Sequence, residues 1–570
     1  NYMLLEEDYK AAMRNQNIYC GYGRGSVTGS LIAYILNITD IDSVAHNLSF
    51  ERFMHSERVS LADIDTDWFK DDRKAVTDYL YNKKDLYCSK IITFNTIDIR
   101  GGIRDVGGAL DMPLTLVNEI SKAIGTSEEN KYREKHKELF RWVDILKGTI
   151  VSIGCHAAGF VVSPIPLDNS IGICYTKDSE YPVSQLDMKD IDSLNYVKLD
   201  ILGLDTVGLI NETCKLAGIE RLTPSNTPPD DIDVWKSIRD DTTGIFQWEG
   251  NGASAYLKRL FSDETIDRIK RINPNFSYID LFSIGNGAIR PAGASYREAL
   301  ARGEFKDSGN EILNNFLKPT LGHLVFQEQI IAFLHKFCGY TMGQADMVRR
   351  GFAKKTGTVS EIPKIKAGFI KTMTSKYGIS VEEAEKTIKD FLIVIEDASD
   401  YLFSLNHADV YSWIGYIAGY LRYYYPYEFI TAGLNIYLDK QDKTIDIQEY
   451  AEKLNIKIEG IKFRRSLDVY TPNQNTQSIN KGMGAIKYLN KTIPRELYKF
   501  KDKFYEALKD FNNTSINSRQ LEVLVKLNFF SEFGNPNKLL AQIALYNDWF
   551  YRKMIPIKNL IYPLNELSGY

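Results

Sequence analysis

Val59-Ser-Leu-Ala-Asp63-Ile-Asp65-Thr-Asp67-Trp68 alternates acidic with other residues at a period of two, the pattern of a strand with one face turned to a core. On such a strand Asp63, Asp65 and Asp67 project together. Three carboxylates on one face repel one another unless a cation neutralises them, and oxygen-only donors suit Mg²⁺ or Mn²⁺. An EF-hand loop beginning at Asp63 would need glycine and glutamate where Trp68 and Lys74 stand, so that reading fails. A solvated acidic edge strand is the structural alternative; the apolar Val59, Leu61 and Ile64 favour a strand inside a fold.

Upstream, residues 1–20 carry Leu4, Leu5, Tyr9 and Met13 at helical spacing. Gly21-Tyr-Gly-Arg24-Gly25-Ser26-Val-Thr-Gly-Ser30 then forms a glycine-rich turn opening onto the apolar run Leu31–Leu36. Placed at a helix start, its backbone N–H groups favour phosphate, and Ser26 can cap the helix or donate to a phosphate oxygen. No Gly-Lys-Ser/Thr follows, and Ser26 stands where a dinucleotide fingerprint needs its third glycine, so neither standard phosphate loop is present. An ordinary turn is the alternative.

Downstream, residues 76–94 read as helix and strand, and 105–147 as a charge-rich helical arm. Strand signals return at 149–153, 159–162 and 196–202. The uncharged stretch Gly148–Leu167 contains His156, serines, prolines and glycines, and reads as strand–turn–strand rather than a membrane span. In Tyr196-Val-Lys198-Leu-Asp200-Ile-Leu-Gly203 a lone aspartate sits among apolar residues. Burying it unpaired is costly, so Asp200 needs a cation or a metal. Lys198 shares its face, and a structural Lys198–Asp200 pair is the alternative. Past Leu204 the pattern is mostly helical. Arg349, Arg350, Lys354 and Lys355 form the densest basic patch, suited to phosphates, with a solvated helix face as the alternative. The aromatic cluster Tyr411–Tyr427 falls mainly at core spacing.

At 570 residues the chain has room for three or four domains. Its 44% hydrophobic and 25% charged residues exclude collagen-like, coiled-coil and largely disordered classes. Lys and Arg number 70 against 74 Asp and Glu, a net charge of −4, so any nucleic-acid contact rests on local patches. Six cysteines show no CxxC pair, which argues against zinc fingers and disulfide scaffolds and fits a reducing cytosol. The start at Asn1, without an initiator methionine, reads as a fragment or processed product.

In their order, these motifs resemble the bacterial C-family replicative DNA polymerases, the alpha subunit of DNA polymerase III. The family's GRGS, PDxDxDF, VKxDxLGL, ADxxRRxxxKK, NKSHA and YPxEF segments stand here at Gly23–Ser26, Ala62–Trp68, Val197–Leu204, Ala345–Lys355, Ser404–Ala408 and Tyr425–Phe429. Phe50–Phe53, Ile103–Gly107, Cys155–Gly159, Gly244–Gln247 and Val325–Gln329 add further matches. The resemblance runs from about residue 1 to about 545.

It implies an α/β polymerase-beta-like nucleotidyltransferase palm with a helical thumb insertion, followed by a large, mostly α fingers region. The expected boundaries are palm 1–94 and 153–205, thumb 95–152, fingers 206–475, and a degenerate helix-hairpin-helix region 476–570. It implies a DNA-templated polymerase adding dNTPs to a primer 3′-hydroxyl, with Asp63, Asp65 and Asp200 holding two Mg²⁺ ions, for which Mn²⁺ can substitute. Arg24, Gly25, Ser26, Arg52, Lys198, Arg349 and Arg350 fall at positions of the incoming triphosphate. Lys354, Lys355, His407 and Arg100 are DNA-contact candidates. Expected partners are primer–template DNA and dNTPs, with a sliding clamp or other replisome proteins reached through regions outside this chain. The expected location is the cytosol of a bacterium or phage-infected cell, with no membrane association. The family's PHP domain, clamp-binding motif and oligonucleotide-binding domain are not found, nor an exonuclease carboxylate set. The functional alternatives are an inactive DNA-binding relative, one piece of a split replicase, and a template-independent nucleotidyltransferase. Within the NKSHA-like segment His407 is kept while the first Asn and the Lys are not. Gly482-Met-Gly-Ala-Ile-Lys487 is followed by Tyr488-Leu-Asn490-Lys491, which lacks the hairpin's glycines.

Overall fold

The computed structural model describes residues 2–57, 64–177, 179–353, 358–399, 402–486 and 514–547, together with Leu489, Glu496, Leu497, Phe504 and Leu508. The chain divides into two compact units, Asn1–Thr39 with Arg52–Gly203, and Asp40–Glu51 with Leu204–Tyr570.

The first unit contains strands β1 (Asp65–Trp68), β2 (Tyr87–Thr96), β3 (Ile150–Ser163), β4 (Ile173–Cys174), β5 (Val183–Ser184) and β6 (Val197–Gly203). They form one mixed sheet in the order β1-β6-β3-β2-β5-β4. Helices α1 (Tyr2–Arg14), α2 (Leu31–Ile35) and α3 (Arg73–Asn82) belong to the same unit. Tyr9 and Met13 of α1 and Val76 and Leu80 of α3 bury against Trp68, Phe160, Val162, Leu199 and Ile201 of the sheet. Because side chains alternate along a strand, this packing turns Lys198 and Asp200 to the opposite face. There the apolar cover of Ile91, Val161, Leu167, Ile171 and Ile191 lies over the β2 and β3 side of the sheet.

Two local readings of the sequence are corrected. Gly148–Leu167 does not reverse direction, because β3 runs unbroken for 14 residues. Its register with β2 jumps from Ile92↔Cys155 to Lys90↔Phe160, so Ile91 alone faces His156–Gly159. The extra residues form a bulge rather than a turn. The glycine-rich stretch does not open directly onto an α-helix either. Gly25, at φ 68° in the left-handed region, begins a 3₁₀ turn over Gly25–Gly29. Ser30, not Ser26, caps α2, accepting the Ala33 N–H at 3.2 Å.

Between β2 and β3 the chain forms α4 (Ile99–Ala109), α5 (Leu114–Ala123), α6 (Glu129–Lys135) and α7 (Lys137–Leu146). They enclose a core of their own from Ile103, Val106, Val117, Ile120, Leu139, Phe140 and Val143.

The second unit is mostly helical. Phe333, Phe337, Phe369, Ile388 and Ile395 centre one of its cores, and the helix Leu405–Tyr424 is buried along most of its length. As the spacing implied, Tyr411 and Tyr416 are core residues, while Tyr423 and Tyr424 are exposed. A small sheet was not expected: β7 (Lys457–Glu459), β8 (Thr471–Asn473) and β9 (Ser478–Asn480), in the order β7-β9-β8. Strands of three residues are too short to show a period. Met483–Ala485 is a 3₁₀ turn; Lys487, Tyr488, Asn490 and Lys491 of the hairpin reading lie outside the described residues. Among the described residues no cysteine forms a disulfide. Among the described residues no helix is long and apolar enough to cross a membrane.

Candidate functional site

The parallel pairing of β1 with β6 sets Asp65 directly beside Asp200, with Thr66↔Ile201 and Asp67↔Leu202 following in register. Neighbouring strands lie about 4.8 Å apart, so two residues separated by most of the unit's sequence become lateral neighbours through backbone pairing alone. Both are half-buried. Asp63 lies outside the described residues.

A second cluster gathers the remaining candidates. Val27, Phe53 and Ile64 bury together with Ala33 and Ile38. Their chain neighbours are Ser26, Arg52 and Asp65, so one apolar contact draws the glycine turn, the Arg52 segment and β1 together. The Gly21 N–H donates to the Asp67 carbonyl at 2.8 Å, which fastens the turn to β1. Tyr2 ties the other end, donating to the Lys198 carbonyl at 2.9 Å and accepting the Ile64 N–H at 3.3 Å.

Not every carboxylate on β1 is offered to a ligand. Asp67 is only 2% exposed, and Arg24 donates to its Oδ1 at 2.8 Å. Burial pushes the Asp67 carboxyl up, against the pull of Arg24. Arg24 is thus the cation that Asp67 meets, one of the neutralising partners that carboxylates sharing a face call for. Lys198 does not pair with Asp200 either; its ammonium lies 3.5 Å from Asp192 Oδ1. Lys198 and Asp200, two apart on β6, nevertheless share a face.

Among the described residues no group of three His, Cys, Asp or Glu side chains is arranged to hold one ion. Two hard oxygen donors on adjacent strands still fit Mg²⁺, which keeps several waters and is commonly held by one or two carboxylates plus substrate phosphates.

In the second unit, Asp346 accepts Arg349 Nε at 3.0 Å and Nη2 at 2.9 Å on Oδ1, and Arg350 Nε at 2.7 Å on Oδ2. The Asp346 side chain is fully buried and that of Arg349 is 9% exposed, whereas Arg350 remains 35% exposed. The two arginines therefore differ: Arg349 is held inside and Arg350 is presented. Asp346 was missed as a site residue, although its placement three and four residues before the arginines is helical pairing spacing. Lys354 and Lys355 lie outside the described residues. His407 lies against Tyr411, with ring centroids 5.8 Å apart. Arg100 is exposed, with Nη2 donating to the Ile124 carbonyl at 3.1 Å.

The same unit holds a cavity of about 800 Å³ lined by Glu51, Asp280, Glu328, Asp409 and His46 among apolar walls, with no lysine or arginine among the described residues of its lining. His46 Nδ1 sits 3.0 Å from Asp409 Oδ2. Such a lining repels phosphate, so this cavity is no candidate for the triphosphate.

On one face of this α/β unit's sheet the carboxylates Asp65 and Asp200 stand beside the cation Lys198. Comparison with known proteins narrows the class. The family model described as the bacterial DNA polymerase III alpha NTPase domain matches residues 1–203, and that of the alpha subunit finger domain matches residues 295–377. The chain is similar to the DNA polymerase III subunit alpha of Buchnera aphidicola, at 32% identity over 95% of this chain and 48% of that protein. The Vibrio cholerae subunit is 30% identical over 94% of this chain and 48% of its own length. That of Escherichia coli K12 is 29% identical, again over 94% and 48%. The chain spans about half the length of these curated relatives and belongs to the bacterial DNA polymerase III alpha-subunit family.

Proposed function

We propose that this chain is the core of a DNA-templated DNA polymerase. In this reading the six-stranded sheet unit is the palm, the α4–α7 insertion is the thumb, and the helical unit supplies the fingers. The observation that carries it is the register pair Asp65↔Asp200 on the sheet face opposite the α1/α3 core.

In the reaction the primer 3′-oxygen attacks the α-phosphorus of a dNTP, and pyrophosphate leaves as the new ester bond forms. A pair of divalent ions, Mg²⁺ or Mn²⁺, when bound supplies activation of that oxygen and neutralisation of charge on the phosphates. Asp65 and Asp200, with Asp63, fix where that charge can sit. Lys198 and Arg52 extend the same region with positive charge for the triphosphate, and the Gly25–Ser26 turn offers backbone N–H groups to it. Arg350 is the fingers cation available to the nucleotide, and Arg349 supports it from inside through Asp346. Primer–template DNA and dNTPs are the proposed substrates.

The test is primer extension by the purified chain with Mg²⁺ and dNTPs, beside Asp65→Asn. Extension by the native chain, lowered at least about a thousandfold in the variant with an unchanged unfolding midpoint, is the expected result. Near-native extension by Asp65→Asn would exclude the assignment.

A further inference from the structure

The bulge in β3 sits where it can act on Asp200. On one side Ile91 alone faces His156–Gly159; on the other, Gly159 is the register partner of Asp200. Bulges commonly re-aim a side chain beside an active site, and what holds this one can be traced atom by atom.

His156 Nδ1 accepts the Gly159 N–H at 2.6 Å and lies 3.3 Å from the Ala158 N–H. A ring nitrogen accepting from the backbone carries no proton, so the neutral ring holds its proton on Nε2. From α3, the Arg73 guanidinium donates to the Ala157 carbonyl at the bulge tip. A Cβ placed on Gly159 would lie 2.7 Å from His156 Nδ1 and 3.3 Å from Asp200 Oδ1. The imidazole and the carboxylate therefore flank one small space that only glycine leaves open.

We propose that His156 is a positioning residue for Asp200: its Nδ1 clamps the bulge, and the clamped bulge fixes the carboxylate beside Asp65. The role rests on the reading of Asp65 and Asp200 as the metal-bearing pair. It differs from a DNA contact, which would use Nε2, the nitrogen not engaged by the bulge.

The two nitrogens can be separated by substitution. Asparagine sets a carbonyl oxygen near the place of Nδ1, whereas glutamine reaches toward that of Nε2. On the full chain without DNA or nucleotide, Mn²⁺ binding is read from the loss of the free-ion electron paramagnetic resonance signal; the Mg²⁺ dependence of primer extension is measured alongside. His156→Asn is expected to bind Mn²⁺ as the native chain does. His156→Gln and His156→Ala are expected to need about 10- to 100-fold more of either ion, the usual loss when the group orienting a ligand is removed. KM for DNA stays unchanged throughout. Gly159→Ala leaves His156 chemically intact but presses on its Nδ1, on Ile91 and on Asp200 together, and should raise the metal requirement in the same way. Rescue by glutamine but not asparagine, or a change confined to KM for DNA, would overturn the proposal. So would native Mn²⁺ affinity in His156→Ala while Asp65→Asn loses it. If Asp65→Asn itself bound Mn²⁺ normally, the metal reading would fall first and the positioning role with it.

Discussion

The sheet face and the arginine helix place charge by opposite means. Asp65 and Asp200 are neighbours because a parallel ladder makes them so; neither side chain has to build the other's position. Arg349 and Arg350 both pair with one fully buried carboxylate, Asp346. Backbone-placed groups are free to be spent on function, since removing one leaves the scaffold standing. Side-chain-placed groups carry function and stability together.

The largest effect that would sharpen this contrast is on stability, at Asp346→Asn. The substitution takes the Asp346 charge away from the buried Arg349, a loss of roughly 3–5 kcal/mol for a broken buried pair. Asp65→Asn, by comparison, should abolish extension with little change in unfolding. Denaturant unfolding of both variants, set beside their extension rates, reads the two axes at once. A stable Asp346→Asn or an unfolded Asp65→Asn would break the distinction.

Within the helix, the arginines should divide the same way on a smaller scale. Arg349→Ala should lower the unfolding midpoint, because it strips a buried carboxylate of its two-point partner. Arg350→Ala removes a pair that is 35% exposed on the arginine side. Solvent screens that pair, so its loss should cost no more than about 1 kcal/mol. Its effect should appear instead in dNTP KM, raised about tenfold by loss of one charge-assisted contact. Equal effects of the two variants on both readouts would show that the helix presents them alike.

What the sequence made legible follows the same division. Period-two alternation exposed Asp65, because strand geometry turns sequence spacing into a shared face, and the cost of burying a lone carboxylate in an apolar run exposed Asp200. The 3.6-residue period revealed the helical insertion and the buried Leu405–Tyr424 helix. Arg24 closing on Asp67 was illegible, for it depends on where the glycine turn lies against β1. The β3 bulge read as a turn because glycine and histidine signal both, and only the register with β2 tells them apart. Ser30 and Ser26 are equally good caps on paper; the 3₁₀ turn over Gly25–Gly29 decides between them. Asp346 was legible in principle, since i+3 and i+4 spacing to two arginines is written in the sequence.

Asp67 belongs to both regions' logic, because a strand places it and an ion pair uses it. Its folded carboxyl is raised by burial despite Arg24. The folded state therefore holds that proton more tightly than the unfolded one, and stability is lost as pH rises through the folded value. When ionised, the buried group is a burden that the Arg24 bond offsets only in part. Asp67→Asn removes burden and bond together, so its net change in stability should stay within about 1 kcal/mol, the worth of a typical hydrogen bond. Arg24, 26% exposed along its side chain, loses its anchor, and dNTP KM should rise only severalfold. Mn²⁺ affinity should not change, because Asp67 is committed to Arg24 rather than to a metal. Thermal unfolding from about pH 4 to 7 should also show a slightly flatter dependence in the variant than in the native chain. A collapse of Mn²⁺ binding in Asp67→Asn would return Asp67 to the metal set and show that its tie to Arg24 opens when the ions arrive.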